Sequence, residues 1–486
     1  MHAVSLDPEV GARGRTVTID FIGAGAIEIP LPLSDLIARY AHSAAEIPVV
    51  EFAAVTAIKG ETWARDSLNA ELTVGDAGEA KLSFEGRLNV LQDESGGSVQ
   101  LELADGSALK AEYVRSWHSG TSWKKGESVV HGSRLELAEW QWSSGKPAVA
   151  WVAPLLGAKP GASNLYVEGY GQRMLRSLRL DGNYAWHLLR SDSFGKNACL
   201  ALVAGPDLTR DRLEDDFTAL EFLFGGPLRL NTLIGIDAEN TPVAAMGVSL
   251  GYRFGRAQAD APPVPEDRDA AWIAVAFPLV ARALAAAEPN PVGIAACGYV
   301  DSTVGHIDGQ YLFAQVALEA VAYRLMPKPK PVVKDLQAWD TWARSLRSHL
   351  REHAADEAAV NILAVKLKEA ARPTTSRVVE KKLQEMGIVP PTEGIGEVGG
   401  RNIVAHTLSM NDGAPYDVER DVRRIRIIRA LLAAMILRHV GYEGALSDWE
   451  LNGFGKTKQA TWFPVSAGAA AKAEQMYAAR AAKRAS

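Results

Sequence analysis

From Val49 to Gly255 the apolar residues come in short alternating or β-branched runs. Ala80–Leu91, Ser98–Leu103, Arg134–Trp142, Asn164–Val167, Met174–Leu180, Trp186–Arg190, Ala198–Ala204 and Val243–Phe254 each read as strands. Between them, Asp76-Ala77-Gly78, Ser95-Gly96-Gly97, Asp105-Gly106, Ser144-Gly145 and Asp181-Gly182 supply the turn geometries that hairpins need. This pattern predicts a largely antiparallel β architecture. Beyond residue 269 the apolar spacing changes to three and four. Ala271–Ala287, Gln310–Leu325, Lys334–His353, Glu357–Ala371, Arg377–Met386 and Val418–Val440 then predict helices. The expected class is α+β, with a β-rich N-terminal region of one or two antiparallel units followed by an all-α bundle.

Punctuation in the chain suggests where these parts meet. Arg256–Asp269 (RAQADAPPVPEDRD) is polar and proline-rich between an apolar strand and an apolar helix, as a domain linker would be. Pro154–Ala162 reads as a connection between two β units or as a loop inside one. The expected divisions are therefore residues 1–158 as a first β-rich domain and 159–262 as a second unit, or a continuation of the first. A helical domain at 269–465 and a helical or frayed tail at 466–486 complete the chain.

Composition narrows the class of protein. With 486 residues, 47% hydrophobic and 23% charged, the chain is ordinary for a globular protein of several cores. Its 52 lysines and arginines stand against 58 acids, so no global field marks a dedicated duplex-DNA binder. Two distant cysteines, Cys199 and Cys297, exclude a disulfide framework and fit a reducing compartment, here expected to be the cytoplasm. The N-terminus has no basic start leading into a long apolar core, and the longest apolar stretch, Ala270–Ala281, ends at Arg282 after 12 residues. No secretory signal and no membrane partner is expected.

Several motifs invite chemistry and most fail on context. Gly453-Phe-Gly-Lys-Thr457 ends like a phosphate loop, but Glu450 stands where its first glycine belongs and no strand is predicted before it. Gly23-Ala-Gly25 lacks the third glycine of a dinucleotide fingerprint. Seven of the 12 tryptophans lie between Trp63 and Trp186, close to Lys124 and Lys125, which suits a stacking platform for single-stranded nucleic acid or sugars. Alternation puts Leu135, Leu137, Glu139 and Gln141 on one face, with Glu136, Ala138, Trp140 and Trp142 on the other. Sheet packing accounts for those rings more simply.

Arg401-Asn402-Ile403-Val404-Ala405-His406 is different. On a helix, Asn402 and His406 share a face and Arg401 lies beside them. Histidine moves protons near neutral pH, arginine holds phosphoryl charge bidentately and asparagine orients either partner. Together they suffice to cleave RNA through its own 2′-hydroxyl. If a helix starts at Gly399-Gly400, its free amides would also face an anion.

These residues resemble the HEPN superfamily, helical domains whose active members are endoribonucleases marked by an arginine, a polar residue and a histidine after four to six intervening positions. Tyr311–Val321 is similar to the aromatic, Leu-Glu-Ala-bearing helix before the motif in that family, and Asp421–Tyr442 to its closing helix. Phe217–Asp237 resembles the β-rich region of ApeA-type bacterial antiphage proteins. The chain departs from the family in the double glycine before Arg401 and in Thr407, where glycine is more usual. Arg344–His349 and Arg347–His353 satisfy the same spacing inside one amphipathic helix, where a solvated charged face is the simpler reading.

The resemblance implies a metal-independent endoribonuclease with no cofactor and no metal, in which Arg401, Asn402 and His406 are catalytic. It implies a homodimer through the helical domain that brings two motifs together, and a role in antiphage or abortive-infection defence with the β region as sensor. RNA, with tRNA among the candidates, would be the substrate, and a phage-derived protein is a candidate trigger. Glu319 is an accessory candidate. Arg420, Arg423, Arg424, Arg426 and Arg429 would track an RNA backbone or simply form a solvated face. Two other readings stay open: a catalytically silent dimeric scaffold that binds RNA or protein, and a carbohydrate- or peptide-binding β module with a helical dimerisation domain.

Overall fold

The alternating and helical periodicities become strands and helices in the computed structural model. It describes residues 17–21, 25–29, 36, 40, 50, 52–60, 64–65, 70–74, 80–84, 98–124, 127–158, 177–189, 198–204, 208–251, 262–265, 271–286, 290–326, 330–399, 417–451 and 457–468. The expected strand at 164–167 and the tail beyond 468 lie outside the described residues. An N-terminal antiparallel region and C-terminal helices give an α+β chain. Contacts divide it into two units, one holding the described residues up to 251 with 271–285, the other holding 262–265 and 286–468.

In the first unit, β1 (Val17–Phe21) and β2 (Gly25–Ile29) form a hairpin. Then come β3 (Val55–Gly60), β4 (Ala64–Arg65), β5 (Ala70–Val74), β6 (Ala80–Phe84), β7 (Val99–Leu103), β8 (Ala108–Lys124) and β9 (Glu127–Ser143). The pairings run β9, β6, β5, β3, β7, β8 and return to β9, so six strands close a ring. A closed ring leaves fewer unpaired edges than an open sheet would. Its core gathers Ile58, Leu82, Leu101, Leu109, Leu137 and Trp140, with Phe52 edge-on to Trp140 and Trp142.

β9 also leaves the ring. Ser133–Leu137 pair with β6, whereas Trp140–Ser143 pair with β15 (Pro242–Leu250) of a second sheet. The buried positions change parity at that handover, from Leu137 to Trp140 and Trp142, so the simple two-face alternation expected across 134–142 does not hold. The second sheet continues through β14 (Leu230–Ile236), β10 (Ala150–Leu156), β13 (Ala198–Ala204), β12 (Ala185–Leu189) and β11 (Ser177–Asp181). Because β10 pairs with both β13 and β14, the division expected at 158 cuts a shared sheet, and the two expected β units are continuous. Pro154 fits inside β10 because its missing N–H has the same parity as the Leu156 N–H, which donates to Arg229 O beyond the end of the β14 ladder. Trp140, Trp142, Trp151 and Trp186 are all buried, as packing rather than a platform requires.

A helix that the strand-rich pattern hid, α1 (Arg210–Phe224), covers this sheet. It buries Leu213, Phe217, Leu220 and Phe224 on one stripe and ends at Gly225, whose φ of 76° is the left-handed cap glycine adopts most readily. α2 (Ala271–Leu284) packs on α1 and β11, so the helix expected to open the helical domain at 269 belongs to the first unit.

The second unit begins with α3 (Pro291–Asp301), whose Asn290 side chain caps Val292 and Gly293, and α4 (Ile307–Leu325). They cross closely, since a Cβ on Gly298 would stand 2.4 Å from Ala317 Cβ. The expected helix at 334–353 is two, α5 (Leu336–Ser345) and α6 (Arg347–His353), which pack with α7 (Glu357–Glu369). α8 (Thr375–Glu385), α9 (Thr392–Gly396) and α10 (Val418–His439) follow. α10 is capped by Asp417, has acids in its first turn and bases in its last, and buries an almost continuous run from Ile425 to Leu437 against α3 and α4. β16 (Ser447–Leu451) and β17 (Thr457–Gln459) pair beside it, and the Ser447 N–H donates to Pro263 O. Among the described residues, no helix is long and apolar enough to cross a membrane.

Candidate active site

Arg401, Asn402 and His406 lie outside the described residues, as do all positions from 400 to 416. The structure does define the backbone on which this segment starts. α4 buries Tyr311, Ala314, Gln315, Leu318 and Val321, at the spacing of one helical face, and two of these are polar. The Gln315 carboxamide spans the chain just before the motif. Its Nε2 donates to Glu397 O at 2.6 Å and to the Tyr311 hydroxyl at 3.0 Å, and its Oε1 accepts from Gly399 N at 3.2 Å. Tyr311 in turn donates to Glu397 O at 3.1 Å.

Arg424, from α10, closes the cluster. Its Nε donates to Glu397 Oε2 at 2.7 Å, its Nη2 lies 3.4 Å from the Tyr311 hydroxyl, and its guanidinium sits 5.0 Å from the Tyr311 ring centroid. Desolvation pulls the Arg424 pKa down, but the Glu397 carboxylate and Tyr311 outweigh it, leaving the group raised and cationic. Burial also lifts the Tyr311 hydroxyl above its ordinary value, so it stays a neutral donor. A buried amide needs most of its bonding capacity used, and Gln315 achieves this on main-chain atoms at 397 and 399. α4 and α10 thereby hold the backbone two residues before Arg401.

Gly399 itself has φ of 98°, which glycine adopts without the strain a side chain would bring. This accounts for the first of the two glycines before the motif: at Gly399 the backbone is in the left-handed region, not in a helix. The Gly399 amide donates to Gln315, so it does not serve as the free anion-binding amide expected of a helix start.

The five arginines proposed for RNA contact do not share one exposed row. Arg423 pairs with Glu393, and Arg424 with Glu397, so both brace the segment that leads into 400. Arg429 donates to Ser302 Oγ at 3.0 Å and Gln310 Oε1 at 2.9 Å, and burial lowers its pKa to about 10. Arg426 is half-buried and desolvated, while Arg420 is exposed beside Asp421 at 3.3 Å. Glu319 is half-buried on α4, one turn beyond Gln315. Among the described residues, no group of three or more His, Cys, Asp or Glu side chains could hold a metal ion.

No family model, curated protein or solved structure matches this chain. The two imitators of the motif do lie among the described residues. Arg344, Arg347, His349 and His353 are exposed on α5 and α6, where Arg347 pairs with Glu357 and His349 with Glu352, as a solvated face should be. Thr457 opens a strand rather than a helix, so the Gly-Lys-Thr sequence lacks the element a phosphate loop requires.

Sequence reasoning proposed the motif but did not foresee the clamp at 397 and 399. Gln315 and Gly399 are 84 positions apart, and nothing in local spacing links them.

Proposed function

We propose that this chain is a metal-independent endoribonuclease of HEPN type, acting in the cytoplasm in antiphage or abortive-infection defence, with the β-rich region as sensor or regulator. The observation that carries the reading is the Arg401-Asn402-His406 constellation, entered from a backbone that α4 and α10 pin at Glu397 and Gly399. These two helices are the ones whose sequences resemble the family.

The chemistry follows from the three side chains. The 2′-hydroxyl oxygen attacks the adjacent phosphorus and the bond to the 5′-oxygen breaks, leaving a 2′,3′-cyclic phosphate and a 5′-hydroxyl. One histidine accepts the 2′-hydroxyl proton and a second delivers a proton to the leaving oxygen. Arg401 stabilises the dianionic phosphorane and Asn402 orients a reacting partner. Since each motif carries one histidine, a homodimer supplies the pair. α4 leaves Phe313, Val316 and Tyr323 exposed at 49%, 41% and 38%, an apolar stripe suited to a second copy.

A second reading, a silent scaffold, is favoured by Trp342, Ile362, Leu363 and Val365, which α5 and α7 leave exposed as a partner surface would be. Incubating wild-type, Arg401→Ala and His406→Ala proteins with total RNA and with tRNA in EDTA separates the two. The nuclease reading expects wild-type fragments ending in cyclic phosphate and their loss in both variants, with dimerisation retained. Fragmentation that persists in both variants contradicts it.

A further inference from the structure

The first unit contains a cavity of about 520 Å³, within the range of small-molecule sites. The strand registers show how it is built. Lys59 on β3 lies opposite Gln100 on β7, Gln100 opposite Lys110 on β8, and Lys110 opposite Gln141 on β9. Directly opposed residues share a face, so cation, amide, cation and amide form one row across four neighbouring strands. All four side chains are exposed and line the cavity. Neither lysine has an ion-pair partner among the described residues.

Arg210, the first residue of α1, adds a third cation and pairs with Glu139 at 2.5 Å. Among the described lining residues Glu139 is the one carboxylate, so three cations face a single acid there. Trp140, Met246 and Val248 also border the cavity, but their side chains are buried and leave almost no surface open to a ligand. The lysine-bearing strands are two positions apart in the sheet, roughly 10 Å between backbones. Two cations in one row favour a ligand that carries more than one negative charge over a singly charged one. A ligand with several anionic groups along a chain satisfies both, while the exposed glutamines donate and accept to a heterocycle or sugar.

We propose that this cavity binds a nucleotide carrying two or more phosphate groups, held by Lys59, Lys110 and Arg210 through its phosphates. Binding here is independent of the RNA-cleavage reading, because no residue of the cavity belongs to that site.

The test is calorimetric titration of the full-length protein with ATP, GTP, CTP and UTP in turn, and with inorganic pyrophosphate. At least one nucleotide should bind, more tightly than pyrophosphate. Lys59→Gln and Lys110→Gln should each weaken it about tenfold, and the double variant more. Lys146→Gln, an exposed lysine outside the cavity, should leave affinity unchanged. Because the cavity lysines are surface groups, circular dichroism should show both variants folded. Failure of all four nucleotides to bind, affinity untouched by both lysine changes, or pyrophosphate binding as tightly as any nucleotide would each overturn the proposal.

Discussion

Two buried polar clusters, one in each unit, solve the same problem for different ends. In the β unit the Asp216 carboxylate, fully buried on α1, accepts from Asn183 N, Asn183 Nδ2, Tyr184 N and Trp186 Nε1 at 2.8 to 3.1 Å. In the helical unit the neutral Gln315 amide, aided by Tyr311 and Arg424, holds Glu397 O and Gly399 N. Asp216 fastens a hairpin turn that stays within its own sheet, while Gln315 fastens the backbone that leads to Arg401. Burial pushes the Asp216 carboxyl upward against its four donors, so the first cluster carries a desolvation cost that the uncharged amide avoids. The two clasps therefore differ in what their locked backbone leads to, not in how well it is locked.

Removing the first clasp should have the largest effect. Asp216→Ala strands the Asn183 and Tyr184 amides and the Trp186 indole, and should cost about 4 kcal/mol in chemical denaturation. Hydrogen exchange should quicken at Tyr184 and stay unchanged at Gly399. Next, Gly298→Val drives new methyls into Ala317 at the α3–α4 crossing and should cost about 3 kcal/mol. Its exchange signature should be the reverse, with Gly399 losing protection because α4 presents Gln315.

A third test uses pH. His187 is fully buried, and desolvation, with Arg179 nearby, lowers its pKa to about 3. The unfolded histidine takes up a proton near 6.5, so stability is complete above that pH and falls as pH drops toward 3. Between pH 7 and pH 5 the loss should be about 2 kcal/mol from this group, measured as the difference in denaturation between wild type and His187→Leu. Asp216, whose pKa is raised, pulls in the opposite direction, so only the variant difference isolates the histidine.

Much of the fold was legible because periodicity is local. Ala198–Ala204 and the α10 helix were readable almost to the residue from apolar spacing alone. α3 was not, since it is apolar on several sides, and its real signal was Asn290-Pro291 at the cap. α1 was hidden among strands, although Thr209 and Gly225 bound it. Ring closure was illegible because it depends on β9 pairing with β6 on one side and β8 on the other, before it exchanges β6 for β15, which no alternation encodes. The same holds for the row of Lys59 and Lys110, which only cross-strand register brings together. The motif was legible as residue types in order, while the clamp that launches it joins helices far apart in sequence.

A stability change no larger than that of His187 should carry the most direct functional test. Gln315→Leu removes the amide that holds 397 and 399 while keeping a side chain of similar length on the buried face of α4. It should cost about 2 kcal/mol, leaving the protein folded. Single-turnover RNA cleavage in EDTA by wild-type and Gln315→Leu protein, each checked for dimerisation, tests whether the clamp serves the Arg401 site. The account predicts a rate at least about tenfold lower in the folded variant, with fragments still ending in cyclic phosphate. An unchanged rate in Gln315→Leu would contradict it.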